Sequence, residues 1–169
     1  ESFARLQVLY TSQRLPELLE ELGPLLDQHS DWGEGHHLRG MALSFLQRWE
    51  PAAAALGKAS ELLLDRPDVW DHLGNALDAK EDFLGARRAY DHSLALNPAW
   101  HVSWNNAADA AIGKQRFAPA YQYAHLALTL APDNETCLFN FARAAQGTGN
   151  YNAARQALVA LTQRYPGHR

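Results

Sequence analysis

Residues 67–100 read PDVWDHLGNALDAKEDFLGARRAYDHSLALNPAW, and this stretch decides the fold. Its apolar residues recur at helical spacing twice over, first as Trp70, Leu73, Ala76 and Leu77, then as Phe83, Ala86, Tyr90 and Leu94. The polar break between the runs, Glu81-Asp82, is so short that the second helix must fold back on the first as an antiparallel hairpin. Pro98 closes the stretch, because proline lacks the N–H and disfavours helix before it.

The pattern recurs on both sides with a period of 34 residues. Ala52, Ala86, Ala120 and Ala154 keep it, as do Ala42, Ala76, Ala110 and Ala144, and the aromatic series Trp49, Phe83, Phe117 and Tyr151. Small residues follow at Gly40, Gly74, Ala108 and Ala142, the breaks fall at Gln47-Arg48, Gln115-Arg116 and Gly149-Asn150, and Pro132 and Pro166 end two further units. A fixed period of this length marks a repeat architecture. The small residues let two helices approach closely, and the aromatic residue that opens each second helix is expected to fill the wedge behind the turn. One such hairpin cannot bury its apolar face alone, so neighbours must stack and share a continuous core.

Residues 67–100 resemble the tetratricopeptide-repeat (TPR) family: Trp70, Leu73, Gly74 and Leu77 match its opening, and Ala86, Tyr90 and Pro98 follow in place. Residues 101–134 keep Trp104, Ala120 and Pro132, and residues 135–168 keep Phe141, Ala154 and Pro166. Residues 33–66 depart from the pattern, with His36 where Trp is expected and the proline displaced to Pro67. The resemblance implies an all-α fold, a right-handed α-solenoid of stacked antiparallel helix hairpins forming a TPR-like superhelix. The first 32 residues carry Phe3, Leu6, Leu9 and Tyr10 on one helical face and Leu15, Leu18, Leu22, Leu25 and Leu26 on another, which reads as a degenerate hairpin or a divergent cap. The expected organisation is therefore a single array over 1–169, divided as 1–32, 33–66, 67–100, 101–134 and 135–168.

Composition narrows the function. The chain has 169 residues, 47% hydrophobic and 20% charged, with 15 Lys and Arg against 19 Asp and Glu, a net charge of −4. That sign argues against nucleic acid as a partner, since phosphate neutralisation needs a basic excess. The lone Cys137 can close no intrachain disulfide, which fits a cytoplasmic protein. No apolar run is long enough to span a membrane, so membrane insertion is not expected. The start at Glu1 suggests a processed product or a piece of something longer.

No constellation for chemistry stands out, and the expectation is a non-enzyme without cofactor or metal. The chain lacks G-x-S-x-G, P-loop, H-E-x-x-H and EF-hand patterns. Gly147-Thr148-Gly149-Asn150 imitates a phosphate cradle but falls where every unit has its interhelical turn. His36 and His37 are adjacent and point about 100° apart on a helix, so they do not share one ion. His37, Asp71 and His72 could meet on neighbouring first helices, though ordinary groove histidines are the simpler reading. Cys137 reads as a small half-buried residue, and Asn134-Glu135-Thr136 as a chance match to the glycosylation pattern.

In a TPR superhelix the first helix of each hairpin lines a concave groove, so the resemblance points to the columns on that helix. One column is Leu38, His72, Asn106 and Asn140; a second is Met41, Asn75, Asp109 and Arg143; a third is His37, Asp71, Asn105 and Phe139. Asn carries both a donor and an acceptor, so Asn75, Asn105, Asn106 and Asn140 could pair with the backbone of an extended peptide. Such columns are similar to those of the TPR superhelix of O-linked N-acetylglucosamine transferase. The alternative is that these amides bond a neighbouring helix. The carboxylate clamp of chaperone-binding members is broken, since Asn75 and Asn106 match its amides but Asp71 stands where its first Lys belongs. Asp68, Asp71, Asp78 and Asp109 would make the middle of the groove negative and suit a basic peptide.

Two functions follow. The first is a protein-interaction scaffold holding a peptide or protein segment through His37, Met41, Asp71, His72, Asn75, Asp78, Asn105, Asn106, Asp109, Phe139, Asn140 and Arg143. The second is the substrate-presenting or regulatory arm of a larger enzyme, such as a glycosyltransferase, whose catalytic part lies elsewhere. In the last helix Ala157, Leu158, Val159, Ala160 and Leu161 put apolar side chains nearly all round, so that end is expected to be covered by a continuation of the array, by self-association, or by a partner.

Overall fold

A computed structural model describes residues 2–167, apart from the side chains of Ser2 and Phe83. The wedge role expected of Phe83, the start at Glu1 and the end of the last repeat at His168 lie outside the described residues. The described residues form ten α-helices: α1 (Ser2–Thr11), α2 (Leu15–Gln28), α3 (Gly33–Phe45), α4 (Trp49–Leu62), α5 (Pro67–Ala79), α6 (Phe83–Leu96), α7 (His101–Gly113), α8 (Phe117–Leu130), α9 (Glu135–Gly147) and α10 (Tyr151–Arg164). From α3 onward every first helix has 13 residues and every second helix 14, the regularity that the period requires. The chain divides into two compact units, Glu1–Leu96 with α1 to α6 and Asn97–Arg169 with α7 to α10. In the first, α2 packs on α3 and α4 on α5; in the second, α8 packs on α9. Each unit is thus a stack of antiparallel hairpins, an α-solenoid arrangement.

The reversals share one backbone device. Gln13, Gln47, Glu81, Gln115 and Gly149 stand 34 apart and all adopt positive φ, from 56° at Gln47 to 78° at Gly149. Four of the five are not glycine, so each holds a left-handed conformation that costs an L-residue roughly 1–2 kcal/mol. Backbone bonds across each turn help to offset that, for example Gln47 N–H to Ser44 O and Arg48 N–H to Leu43 O, both 2.9 Å. Gln13 shows that the first hairpin turns like the rest, although its core is built on Leu6, Leu9, Leu15, Leu18, Leu22 and Leu26 where later hairpins use Ala and Gly.

A second device ties the first helices α3, α5 and α7 to the loops before them. Trp104 Nε1–H donates to Pro98 O at 2.7 Å and Trp70 Nε1–H to Leu64 O at 3.3 Å. His36, which replaces the tryptophan in its repeat, places Nε2 3.0 Å from Ser30 O, the equivalent carbonyl. The departure from the family pattern therefore preserves the contact.

Close packing explains the small residues. A Cβ on Gly74 would lie 2.5 Å from Cε1 of Tyr90, one on Gly40 would overlap Cγ of Leu56, and one on Gly147 would overlap the ring of Phe117. Ala52, Ala86 and Ala120 are fully buried and Ala154 nearly so.

Candidate functional site

The first helices within a unit touch through polar rungs. In the first unit His37 of α3 faces His72 of α5, with Nε2 2.8 Å from Nδ1. In the second unit Asn140 of α9 donates from Nδ2 to Asn105 Oδ1 of α7 at 3.2 Å. Both rungs join residues 35 apart, one period plus one, so they are the same structural position in two places. A further tie runs beside the second: Arg143 donates to Asp109 Oδ1 at 2.7 Å and to Asn140 Oδ1 at 3.3 Å, while its guanidinium lies 5.5 Å from the centre of the Phe139 ring.

These rungs sort the candidate residues. His37, Asp71, Asn105 and Asn140 are buried, and Leu38 is buried as core. Met41 packs against the leucine cluster of the first hairpin and so belongs to the packing. His72, Asp78, Asn106 and Arg143 are half-buried, whereas Asn75, Asp109 and Phe139 are exposed. Asn75 is oriented by Tyr90, whose hydroxyl donates to its Oδ1 at 2.8 Å. Among the carboxylates expected to make the face negative, Asp68 pairs with Arg66 at 2.5 Å and Asp109 with Arg143 at 2.7 Å. Their charge is largely offset, which weakens the case for a strongly acidic surface.

Burial acts on the histidine rung. It pushes His37 down to about 4, helped by His72 and opposed by Asp68 and Glu34, and it lowers His72 as well against the pull of Asp71 and Asp68. Both rings are neutral at pH 7, so one ring nitrogen donates and the other accepts. Below the unfolded value near 6.5, the unfolded chain takes up protons that the folded chain refuses until about pH 4. Stability should therefore fall as pH drops through that window, by up to ~1.4 kcal/mol per pH unit at His37. Urea titrations at pH 7.5, 5.5 and 4.5 should show a shallower fall for His37→Gln than for the parent chain; equal slopes would contradict this account of the rung.

The other singled-out groups have structural roles. Cys137 is buried, and burial raises its thiol, which makes it a poor nucleophile. The Asn134 side chain caps α9 by accepting from Cys137 N–H at 3.0 Å. Gly147 ends α9, and Thr148 to Asn150 form the last interhelical turn, with Gly149 at φ 78°. Among the described residues no group of three or more His, Cys, Asp or Glu could hold a metal ion, and no helix is long and apolar enough to cross a membrane.

No protein-family model and no curated protein matches the chain. Solved structures do match it. MamA from Desulfovibrio magneticus superposes with a TM-score of 0.86 at 14% identity, over 99% of this chain and 94% of that one. YrrB, described as a TPR protein with an unusual peptide-binding site, gives 0.78 at 15% identity, over 96% and 84%. The chain has a tetratricopeptide-repeat fold. PilF of Pseudomonas aeruginosa gives 0.81 at 25% identity, over 99% of this chain and 76% of its own. The TPR signature in residues 67–100 and the rungs between first helices are thus two views of one arrangement, repeat period and helix stacking.

Proposed function

We propose that this TPR chain is a non-enzymatic scaffold that holds an extended peptide or protein segment against the faces of its first helices. The observation that carries the reading is what the rungs leave uncovered: they join first helices edge to edge, yet Asn75, Asp109 and Phe139 remain exposed on those helices. Asn75 has its carbonyl oxygen engaged by Tyr90, which leaves its amide N–H groups to donate to a ligand carbonyl. Phe139, 37% exposed and backed by the Arg143 guanidinium, offers a rigid apolar anchor. The hydrogen-bonded rungs fix these groups before a ligand arrives, which lowers the ordering cost of binding. The peptide-binding site of the YrrB description supports the same class of ligand. A basic segment suits α5, where Asp68 and Asp78 are partly exposed; the Asp109–Arg143 pair between α7 and α9 favours a neutral one.

The test begins with partners recovered by pull-down and identified by mass spectrometry. Phe139→Ala and Asn75→Ala should each weaken the recovered partner by about tenfold, the loss of one anchor or one well-placed hydrogen bond. Unchanged affinity in both variants, with helicity intact, would contradict the proposal.

A further inference from the structure

The same structural position joins first helices in both units, but its chemistry differs. In the first unit the joint is the imidazole pair His37–His72, whose rings meet end-on with Nε2 2.8 Å from Nδ1 and ring centres 5.0 Å apart. In the second it is the amide pair Asn105–Asn140, beside which Arg143 bonds Asp109. Amides do not titrate, whereas imidazoles do. A neutral imidazole pair shares one proton across the gap, and one further proton leaves that bond intact, because it goes to the remote nitrogen of the donor ring. A second further proton puts an N–H on both facing nitrogens and a like charge on both rings, so attraction turns into repulsion.

The surroundings set when this happens. The charged groups that act on the pair are Glu34 of α3, Asp68 and Asp71 of α5, and Arg66 before α5. Among the described residues α2, α4 and α6, which pack on the same two helices, add none. Burial lowers both rings; Asp71 and Asp68 pull back at His72, which takes the first proton, and burial together with His72 then holds His37 down to about 4. Once the helices part, both rings reach water and regain ordinary proton affinity, so falling pH favours parting. In a stack where each hairpin holds only its neighbours, a weakened seam opens where it lies. We propose that the seam between the α3–α4 and α5–α6 hairpins is an acid-sensitive joint: acid drives the two imidazoles apart and loosens the first unit, while the amide rung keeps the corresponding seam of the second unit closed. The device needs no ligand, so its failure would leave the reading of the first-helix faces intact.

Hydrogen exchange read by mass spectrometry on the whole chain compares the two seams side by side. Between pH 7.5 and pH 5.0, after correction for intrinsic exchange rates, protection in α3 and α5 should fall at least ~tenfold, the shift that proton linkage at one strongly lowered site supplies, while α7 and α9 keep theirs. His36 and His92 also lie in the first unit, against Ser30 and Trp70, so a variant must show that the pair is responsible. His37→Asn combined with His72→Asn copies the rung of the second unit and should abolish the acid loss in α3 and α5. A measurement on the parent chain stands beside it in case that variant folds poorly: imidazole nitrogen shifts should show His37 still neutral at pH 5.0. The proposal is overturned by an equal loss of protection in both units, by an acid loss that survives in the double variant, or by a His37 ring already charged at pH 6.

Discussion

Gly147→Ala should destabilise the chain by about 1–3 kcal/mol, the usual cost of forcing an extra methyl into a filled space. Helix propensity alone argues the other way, since Ala is favoured over Gly by up to ~1 kcal/mol inside a helix. Packing decides the sign: the new Cβ would overlap Cγ and Cδ1 of Phe117, atoms at the base of the ring that cannot swing aside without moving the side chain from its place between α8 and α9. Phe117→Ala also loses stability on its own, but in that background Gly147→Ala should become neutral or stabilising. Urea unfolding of the four chains checks this; a stabilising Gly147→Ala in the parent would show that the two helices do not approach as described.

A larger loss is expected from Leu56→Ala, about 2–5 kcal/mol, because the side chain is fully buried and its removal leaves a cavity as well as lost transfer energy. Leu56 sits in one cluster with Ala52, Leu73 and Ala76, so it joins α4 to the hairpin that follows. Gly40 is the floor beneath it: a Cβ there would overlap Cγ of Leu56. Gly40→Ala should therefore be costly in the parent and mild in Leu56→Ala, a coupling that a double-mutant cycle measures directly. Additive effects would contradict direct contact between the two.

The second prediction rests on features legible in the sequence; the contact of Gly147 with Phe117 was not, since Gly147 read as part of a turn. The period of 34 placed Gly40, Gly74 and the alanine columns, and those columns are where hairpins touch. The turns were legible as polar breaks, but their left-handed backbone was not, because Gln13, Gln47, Glu81 and Gln115 stand where such a conformation usually selects glycine. His36 looked like a lapse in the pattern because residue type was compared instead of the hydrogen bond, which imidazole and indole nitrogens both make.

The site was less legible. Columns drawn at the repeat period align equivalent residues, yet the two buried rungs join side chains that differ by 35, so His37–His72 and Asn105–Asn140 fell in different columns. For Asn105 and Asn140 the alternative holds, that the amides bond a neighbouring helix, whereas Asp109 read as free charge when it is bound by Arg143. Met41 lies in a groove column but turns to the leucines of the first hairpin, whose larger side chains reach it. The apolar character of the last helix was visible; that Leu158 occupies a position buried in α4 and α8 became clear only from the exposures.

The central claim is that partners are held by first helices and not by second ones. The most direct measurement is the affinity of the identified partner for chains altered on one class of helix at a time. Exposed Phe139 and Asn75 represent the first class, and Leu84 of α6 and Leu126 of α8, exposed at 67% and 42%, represent the second. Phe139→Ala and Asn75→Ala should weaken binding while Leu84→Ala and Leu126→Ala leave it unchanged; the reverse pattern would place the partner on the other side of the hairpins and contradict the account.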